Sequence, residues 1–207
     1  IARITQTIST RDAYFGPSAF VDLIHSLQLA ISGAQISLAA PLSFDASINE
    51  GDITVGDMFG LYKYENMLYT MRLKGKELKQ LLEMSYALWT NQMSSSSDQF
   101  LRLRKEEYQG KERWRFQNSS FNFDSAAGIL YTVDVTKPEG EKVTISSLAD
   151  GSPFDEEAFY TVALNSYRGN GGGELITKGA GLSKEELQSR MVSATTKDLR
   201  YYMMEYI

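Results

Sequence analysis

The sequence contains no cysteine and a single histidine, His25, among its 207 residues. Without cysteine, disulfide bonds and thiolate metal sites are impossible. One histidine also rules out a histidine-rich metal cluster, so most common hydrolase chemistries are excluded. No stretch approaches the roughly 18–20 consecutive apolar residues of a membrane-spanning helix, and we therefore expect no membrane span.

The sequence also lacks a strong excess of charge of either sign, since it has 21 basic and 26 acidic residues and a net charge of −5. A surface that binds a nucleic acid polymer normally shows a basic stripe, so we do not expect a nucleic acid partner. The composition is otherwise that of an ordinary globular protein, with 43% hydrophobic residues. At this length we expect one domain over residues 1–207 with a substantial hydrophobic core.

Hydrophobic periodicity predicts an α+β fold with mixed β-sheets and packed helices. Apolar residues recur at three- and four-residue steps after Pro17-Ser18, which predicts a helix that Ser32-Gly33 ends. The same patterns predict a short strand at 35–41, a loop at 43–52, a capped helix at 53–62, a strand at 67–73, a helix from Gly75, strands at 129–136, 143–148 and 159–165, and two final helices, one after a cap at Ser183 and one from Lys197 to Tyr206.

Residues 91–120 differ in composition from the rest of the chain. They begin with a serine-rich run, NQMSSSSDQ, and continue with LRLRKEEYQGKERWRFQ, which carries the local basic density. Segments of this kind are typically solvated, so we predict a flexible surface insertion here.

A glycine-rich loop, Asn165 to Glu174, follows a predicted strand. It lacks the Gly-Lys-Ser/Thr of a Walker A loop, and no βαβ unit follows it as in a dinucleotide-binding fold. Glycines let the backbone turn sharply and let a ligand approach closely. Two interpretations stay open: a tight connection between strand and helix, or a ligand loop that presents Tyr167 and Arg168.

Two further segments carry aromatic residues. Tyr62 and Tyr64 flank a lysine in YKYEN, where the rings either form a stacking platform for a base or lie on a half-buried strand edge. We expect the rings of FNFD (121–124) to lie in the core and His25 to be a partly buried structural residue. No carboxylate pair or metal-ligand spacing stands out, so the residues predict a candidate aromatic binding site and neither catalytic residues nor a metal site.

Six segments, taken together, resemble the C-terminal domain of the bacterial 5′-nucleotidases and 2′,3′-cyclic-nucleotide 2′-phosphodiesterases. They occur in the family's order and cover nearly the whole chain. The segments are AAP (39–41), DMFGLYKYEN (57–66), LKGKELKQLLEMS (73–85), FNFD (121–124), GILYTVDVT (128–136) and NSYRGNGG (165–172).

The resemblance implies a division of labour, in which this chain binds a nucleoside or nucleotide and a metallophosphoesterase domain with two divalent metals performs the hydrolysis. It implies a base clamped between Tyr64 and Tyr167, with the pocket around ribose and base shaped by Arg168, Asn165, Gly171 and Gly172. This chain alone, with no cofactor of its own, is then expected to be inactive. Its catalytic partner belongs to the same polypeptide or to a separate chain, and the family's export implies the periplasm or cell surface.

Two positions depart from the family pattern. Many 5′-nucleotidases carry an Asn-Gly-Gly stretch ending in arginine where this chain has AAPLSF (39–44), and an aspartate where it has Gly173. We therefore expect nucleoside preference to be retained and the grip on phosphate to be weaker. Two alternatives remain: a binding or interaction module that kept the fold but lost nucleotide recognition, and a self-contained hydrolase that uses carboxylates.

Overall fold

The computed structural model describes residues 2–206 of the chain. Its helices are α1 (Ala19–Ser32), α2 (Val55–Leu61), α3 (Gly75–Trp89), α4 (Ser166–Gly169), α5 (Lys184–Arg190) and α6 (Leu199–Tyr206). Its strands are β1 (Ala2–Ile4), β2 (Ile8–Ser9), β3 (Ile36–Ala39), β4 (Ser47–Ile48), β5 (Gly51–Ile53), β6 (Met67–Lys74), β7 (Leu103–Tyr108), β8 (Lys111–Phe116), β9 (Ser125–Ala127), β10 (Ile129–Val133), β11 (Val143–Leu148), β12 (Phe159–Asn165) and β13 (Met191–Asp198).

Five strands form the central sheet, in the order β13–β6–β12–β3–β9. β12 and β3 run parallel, whereas the other neighbouring pairs are antiparallel. The sheet is therefore mixed, and the predicted α+β class with packed helices is confirmed. The other described strands form two-stranded ladders, namely β1–β5, β2–β4, β7–β8 and β10–β11.

The sheet separates two hydrophobic clusters, because successive side chains of a strand point to opposite faces. In β3, Ile36 and Leu38 join the cluster built by α3, α5 and the β10–β11 hairpin. Ala39 joins the cluster built by α1, α2 and α6. All positions of β3 are buried, which is why this strand shows no exposed polar face.

The predicted helix ends are confirmed at three helices. Ser18 caps α1, and Gly33 ends that helix in the left-handed region with a φ of 63°. Reciprocal capping boxes begin α2 and α5, formed by Thr54 with Asp57 and by Ser183 with Glu186. Within residues 2–206, no helix combines the length and the apolar character needed to cross a membrane.

The sequence missed one strand of the central sheet. β13 occupies Met191–Asp198, so the helix predicted from Lys197 begins at Leu199 instead. Most side chains of this edge strand are exposed, and its register against β6 is interrupted twice, so no regular alternation marks it. The loop predicted at 43–52 likewise contains β4 and β5, two short strands that pair with the start of the chain.

Residues 91–120 contain a regular hairpin formed by β7 and β8, in which Leu103 pairs with Phe116 and Tyr108 with Lys111. The hairpin is anchored at its base, because the Phe116 ring lies 5.3 Å from the ring of Phe123, a fully buried residue. The flexibility of the segment stays a prediction. Its secondary structure and its anchoring ring belong to the fold.

Candidate functional site

The sheet brings the two predicted tyrosine segments together. β6 and β12 are antiparallel neighbours, and their register places Asn165 opposite Leu68. The end of β12 therefore lies beside the start of β6. Tyr64 precedes β6 and Tyr167 follows β12, so both rings reach the same end of the sheet although they are far apart in sequence.

A cleft of about 110 Å³ opens at this end of the sheet. We call it the tyrosine cleft, and its lining residues are Leu42, Tyr64, Asn66, Phe121, Asn165 and Tyr167. Tyr64 is 36% exposed and Tyr167 is 41% exposed, so each ring keeps a substantial area free for a ligand. Exposed aromatic rings in a concave site are well suited to stack on a flat ligand.

Phe121 contacts both tyrosine rings edge-on. Its ring centroid lies 6.4 Å from that of Tyr64 at an interplanar angle of 81°, and 5.9 Å from that of Tyr167 at 89°. The prediction that the FNFD rings lie in the core is confirmed for Phe123, which is fully buried, and holds only in part for Phe121, which packs against the α1 cluster and also lines the cleft. The signal for Phe121 was its place in a family segment, but sequence spacing could not tell which of the two phenylalanines faces a ligand.

Two asparagines supply polar groups to the cleft. Asn165 caps α4, where its Oδ1 accepts a hydrogen bond from the backbone N of Arg168 at 2.9 Å. The side chain of Asn66 makes long bonds: its Nδ2 donates to the Tyr62 hydroxyl at 3.4 Å, and its Oδ1 accepts from the Ser166 hydroxyl at 3.4 Å. Sequence reasoning named Asn165 and missed Asn66, although Asn66 ends the YKYEN segment.

Arg168 is enclosed beneath the cleft, with 1% of its surface exposed. Its Nε and one terminal nitrogen donate to the two carboxylate oxygens of Asp124 at 2.8 and 2.9 Å. Further bonds run from the guanidinium to the carbonyl oxygens of Phe121 and Gly172. Because its donors serve these internal partners, Arg168 holds the Phe121 turn against the glycine loop and shapes the cleft indirectly.

Neighbouring side chains pack so closely against Gly172 and Gly173 of the loop that neither has room for a Cβ atom. A Cβ on Gly172 would lie 2.5 Å from a ring carbon of Tyr167, closer than real Cβ contacts allow. Gly171 has a φ of 90° and Gly173 a φ of 68°, both in the left-handed region. A Cβ on Gly173 would also meet the Asn122 Oδ1 at 2.0 Å, so the carboxamide of Asn122 occupies the space that a side chain at this position would need.

His25 lies away from the tyrosine cleft and is 4% exposed. Its Nδ1 lies 2.9 Å from the Ser37 hydroxyl, and its Nε2 lies 3.2 Å from the Ser125 hydroxyl. Burial lowers the pKa of His25 to about 4, so the ring is neutral near pH 7. Across residues 2–206, no three histidine, aspartate or glutamate side chains converge in a way that could hold a metal ion.

Several known proteins that are similar to this chain are named as nucleotide phosphoesterases or nucleotidases. The family described as "5'-nucleotidase, C-terminal domain" matches residues 1–178. The chain is 28% identical over 176 residues to the trifunctional nucleotide phosphoesterase protein YfkN of Bacillus subtilis, a match that covers 80% of this chain and 11% of that protein. It is 31% identical over 143 residues to the 2',3'-cyclic-nucleotide 2'-phosphodiesterase/3'-nucleotidase of Salmonella typhimurium, covering 64% of this chain and 20% of that enzyme.

Solved structures share the fold. A putative 5'-nucleotidase from Staphylococcus aureus matches 99% of this chain with a TM-score of 0.72 at 20% identity, over 35% of its own length. The 5'-nucleotidase precursor from Thermus thermophilus matches 100% of this chain with a TM-score of 0.70 at 24% identity, over 36% of its own length. The chain thus spans well under half of each relative. It belongs to the family of 5'-nucleotidase C-terminal domains.

Proposed function

We propose that this chain is the nucleoside-binding part of a nucleotide hydrolase and that it stacks the base between Tyr64 and Tyr167. The observation that carries the proposal is the meeting of these two exposed rings in one cleft, each of them braced edge-on by Phe121. Stacking on an aromatic ring contributes roughly 1–3 kcal/mol per base and depends little on which base is bound.

The polar groups of the cleft suit the edges of a nucleoside. The carboxamides of Asn66 and Asn165 offer donors and acceptors next to the rings, within reach of a base edge or a ribose hydroxyl. The long bonds of Asn66 leave its carboxamide easy to reorient toward a ligand. Arg168 acts as a positioning residue, because its bonds set the places of Phe121 and Gly172 rather than touching the nucleoside.

The cleft lining contains neither lysine nor arginine, so we expect it to hold the nucleoside and leave the phosphate outside. The described residues also lack a cluster that would fit a two-metal centre. We therefore assign hydrolysis to a metallophosphoesterase domain outside these 207 residues, whether fused or separate. The part of this chain is to orient the nucleoside so that its phosphoester faces that domain.

We also propose a cellular location for the protein. The family resemblance supports export to the periplasm or cell surface. Fractionation of cells that express the full-length protein tests this, because an exported protein is recovered outside the cytoplasmic fraction and a cytoplasmic one is not.

The stacking proposal is tested by calorimetric titration of the chain with adenosine. We expect Tyr64→Ala and Tyr167→Ala each to weaken binding by about 5- to 150-fold, the equivalent of roughly 1–3 kcal/mol. Tyr108→Ala is the matched control, since Tyr108 is also an exposed tyrosine (51%) but lies on the β7–β8 hairpin, and it should bind as the parent does.

AMP is the second ligand of the experiment. The lining residues carry no cation, and the Lys63 ammonium, 4.9 Å from the Tyr64 ring centroid, is exposed to solvent, so AMP should bind this chain no more than a few-fold more tightly than adenosine. Equal adenosine affinity in all variants would overturn the stacking proposal. Absence of any nucleoside binding, even with the catalytic domain supplied, would favour the alternative of an interaction module that lost nucleotide recognition.

A further inference from the structure

A second and larger cavity, of about 610 Å³, lies outside the tyrosine cleft. We call it the aromatic cleft. Its walls come from the start of α1, the end of α3, β9 and the β10–β11 hairpin, and six aromatic side chains line it: Tyr14, Phe15, Tyr86, Trp89, Phe100 and Tyr131. Its volume falls within the range of about 300–1,000 Å³ that is usual for small-molecule sites.

One wall of the aromatic cleft is rigidly packed. The rings of Tyr86 and Trp89 stack at 5.0 Å and 7°, and Trp89 stacks in turn on Phe123 at 5.4 Å and 5°. The hydroxyls of Tyr86 and Tyr131 lie 2.9 Å apart, and the Tyr131 hydroxyl also accepts a hydrogen bond from the backbone N of Ala126. This wall is held in place by packing and hydrogen bonds among its own residues, so binding would cost little ordering.

The mouth of the cleft is apolar and exposed. Phe15 is 67% exposed and stacks on Phe100 with a centroid distance of 5.9 Å, and Leu130 is 53% exposed. The apolar surface of these side chains is in contact with water unless a ligand covers it. A ligand seated between the mouth and the packed wall would therefore gain from burial.

The charged residues that line the aromatic cleft indicate which charge a ligand should carry. The lining contains no lysine or arginine, and its one carboxylate is Asp22, which forms no ion pair within residues 2–206. Burial raises the pKa of Tyr131, and the negative charge of Asp22 adds to that rise. His25 also lines the cleft, but its ring is neutral, so Asp22 supplies the only formal charge.

We propose that the aromatic cleft is a binding site for a small organic cation, an alkyl- or aryl-ammonium compound, distinct from the nucleoside site. The Phe15 ring is 67% exposed, so it can attract an ammonium group through its quadrupole, by roughly 0.5–2 kcal/mol. Asp22 adds an attraction of opposite charge at the rim, and the apolar body of the ligand covers Phe15 and Leu130. A nucleotide is disfavoured here because its phosphate would meet Asp22 and no cation.

Trp89 makes the test direct, because the chain has only one other tryptophan, Trp114. In a Trp114→Phe background, tryptophan fluorescence reports on the aromatic cleft alone. Three probes of matched shape are titrated: phenethylamine as the cation, 2-phenylethanol as the neutral compound and 3-phenylpropionate as the anion. We expect the cation to bind about 2- to 30-fold more tightly than the neutral probe, the equivalent of roughly 0.5–2 kcal/mol, and the anion to bind most weakly.

Two variants locate the site. Asp22→Asn should lower the preference for the cation to the part that the aromatic rings alone provide, and Phe15→Ala should weaken all three probes. Both residues are exposed, so both variants should stay folded, which circular dichroism checks. Tyr167→Ala should leave phenethylamine binding unchanged. The proposal is overturned if no probe binds at millimolar concentration, if the three probes bind alike, or if Asp22→Asn leaves the cation preference unchanged.

Discussion

Gly172 sets the position of Tyr167 because it has no side chain, and replacing it tests the tyrosine cleft at the scale of a single residue. In Gly172→Ala, the new Cβ would lie 2.5 Å from the Tyr167 ring and 2.6 Å from the Tyr167 carbonyl oxygen. The ring must shift, so we predict at least a fivefold loss of adenosine affinity by calorimetry, about 1 kcal/mol of lost stacking.

Gly60→Ala is the control for this substitution. Gly60 lies in α2, and nothing approaches the position of its Cβ within 4 Å. Alanine is the better helix former, so this variant should bind adenosine normally and gain up to about 1 kcal/mol in its free energy of unfolding. Normal adenosine binding by Gly172→Ala would show that the loop adjusts without moving the ring.

His25 links stability to pH. The Gln28 Nε2 donates to the Ser37 Oγ at 2.7 Å, which leaves the Ser37 hydroxyl proton free to be donated to the Nδ1 of His25. The Nε2–H of a neutral ring then faces Ser125, whose hydroxyl donates to the Ala39 carbonyl at 3.3 Å. A protonated ring would carry one proton too many for this chain of bonds.

The folded-state pKa of His25 is lowered to about 4, below the usual value of 6.5, so the unfolded chain binds the extra proton first. Stability attributable to His25 is complete above pH 6.5 and is lost as the pH falls toward 4, by about 3 kcal/mol in total. We predict that urea unfolding between pH 6.5 and 4 loses this much more stability in the parent than in His25→Gln. Parallel pH profiles of the two proteins would contradict the prediction.

At the scale of elements, the β7–β8 hairpin separates into an anchored base and an exposed arm. Phe116 packs on Phe123 and lies 4.7 Å from the ring of Tyr14, while Tyr108 and Trp114 are 51% and 54% exposed. Because Leu103 and Phe116 are directly paired, residues 104–115 can be replaced by Asn-Gly, which forms a two-residue hairpin turn.

We predict that this shortened chain keeps its free energy of unfolding within about 1 kcal/mol and keeps its adenosine affinity, because surface loops away from packed features contribute little. Urea unfolding and calorimetry provide the measurements. Phe116→Ala in the full-length hairpin is the control and should cost about 2–3 kcal/mol, since a partly buried ring that packs on the core is lost. A large loss of stability in the shortened chain would mean that the arm itself supports the fold.

At the scale of the whole molecule, the central sheet lies between the two hydrophobic clusters. β3 contributes residues to both clusters, so a substitution that destabilises one cluster should also lower the stability of the other. Phe20 lies in the α1 cluster and is 1% exposed, whereas Trp89 lies across the sheet. We predict that Phe20→Ala costs about 3–5 kcal/mol and lowers the unfolding midpoint equally by Trp89 fluorescence, in a Trp114→Phe background, and by circular dichroism. Separate midpoints would show that the faces unfold independently.

Local signals predicted much of the fold. β6 and β12 were visible because their buried residues are flanked by clear turns and helix starts, and α2 and α5 because their caps need only residues three positions apart. β13 was invisible because an exposed edge strand is specified by backbone pairing with β6 rather than by its side chains. The same limit applies to the short ladders at the start of the chain.

The sequence by itself determined the absence of disulfide chemistry, the caps of α1, α2 and α5 and, through the family resemblance, the two candidate rings Tyr64 and Tyr167. Only the tertiary structure decided that Phe121 lines the tyrosine cleft and that the Arg168 guanidinium is paired with the Asp124 carboxylate. It also decided that α1 and the β10–β11 hairpin line a second cavity. The physical reason is the separation in sequence of the interacting residues. Caps and turns depend on residues a few positions apart, whereas these contacts depend on the order and register in which distant strands pair.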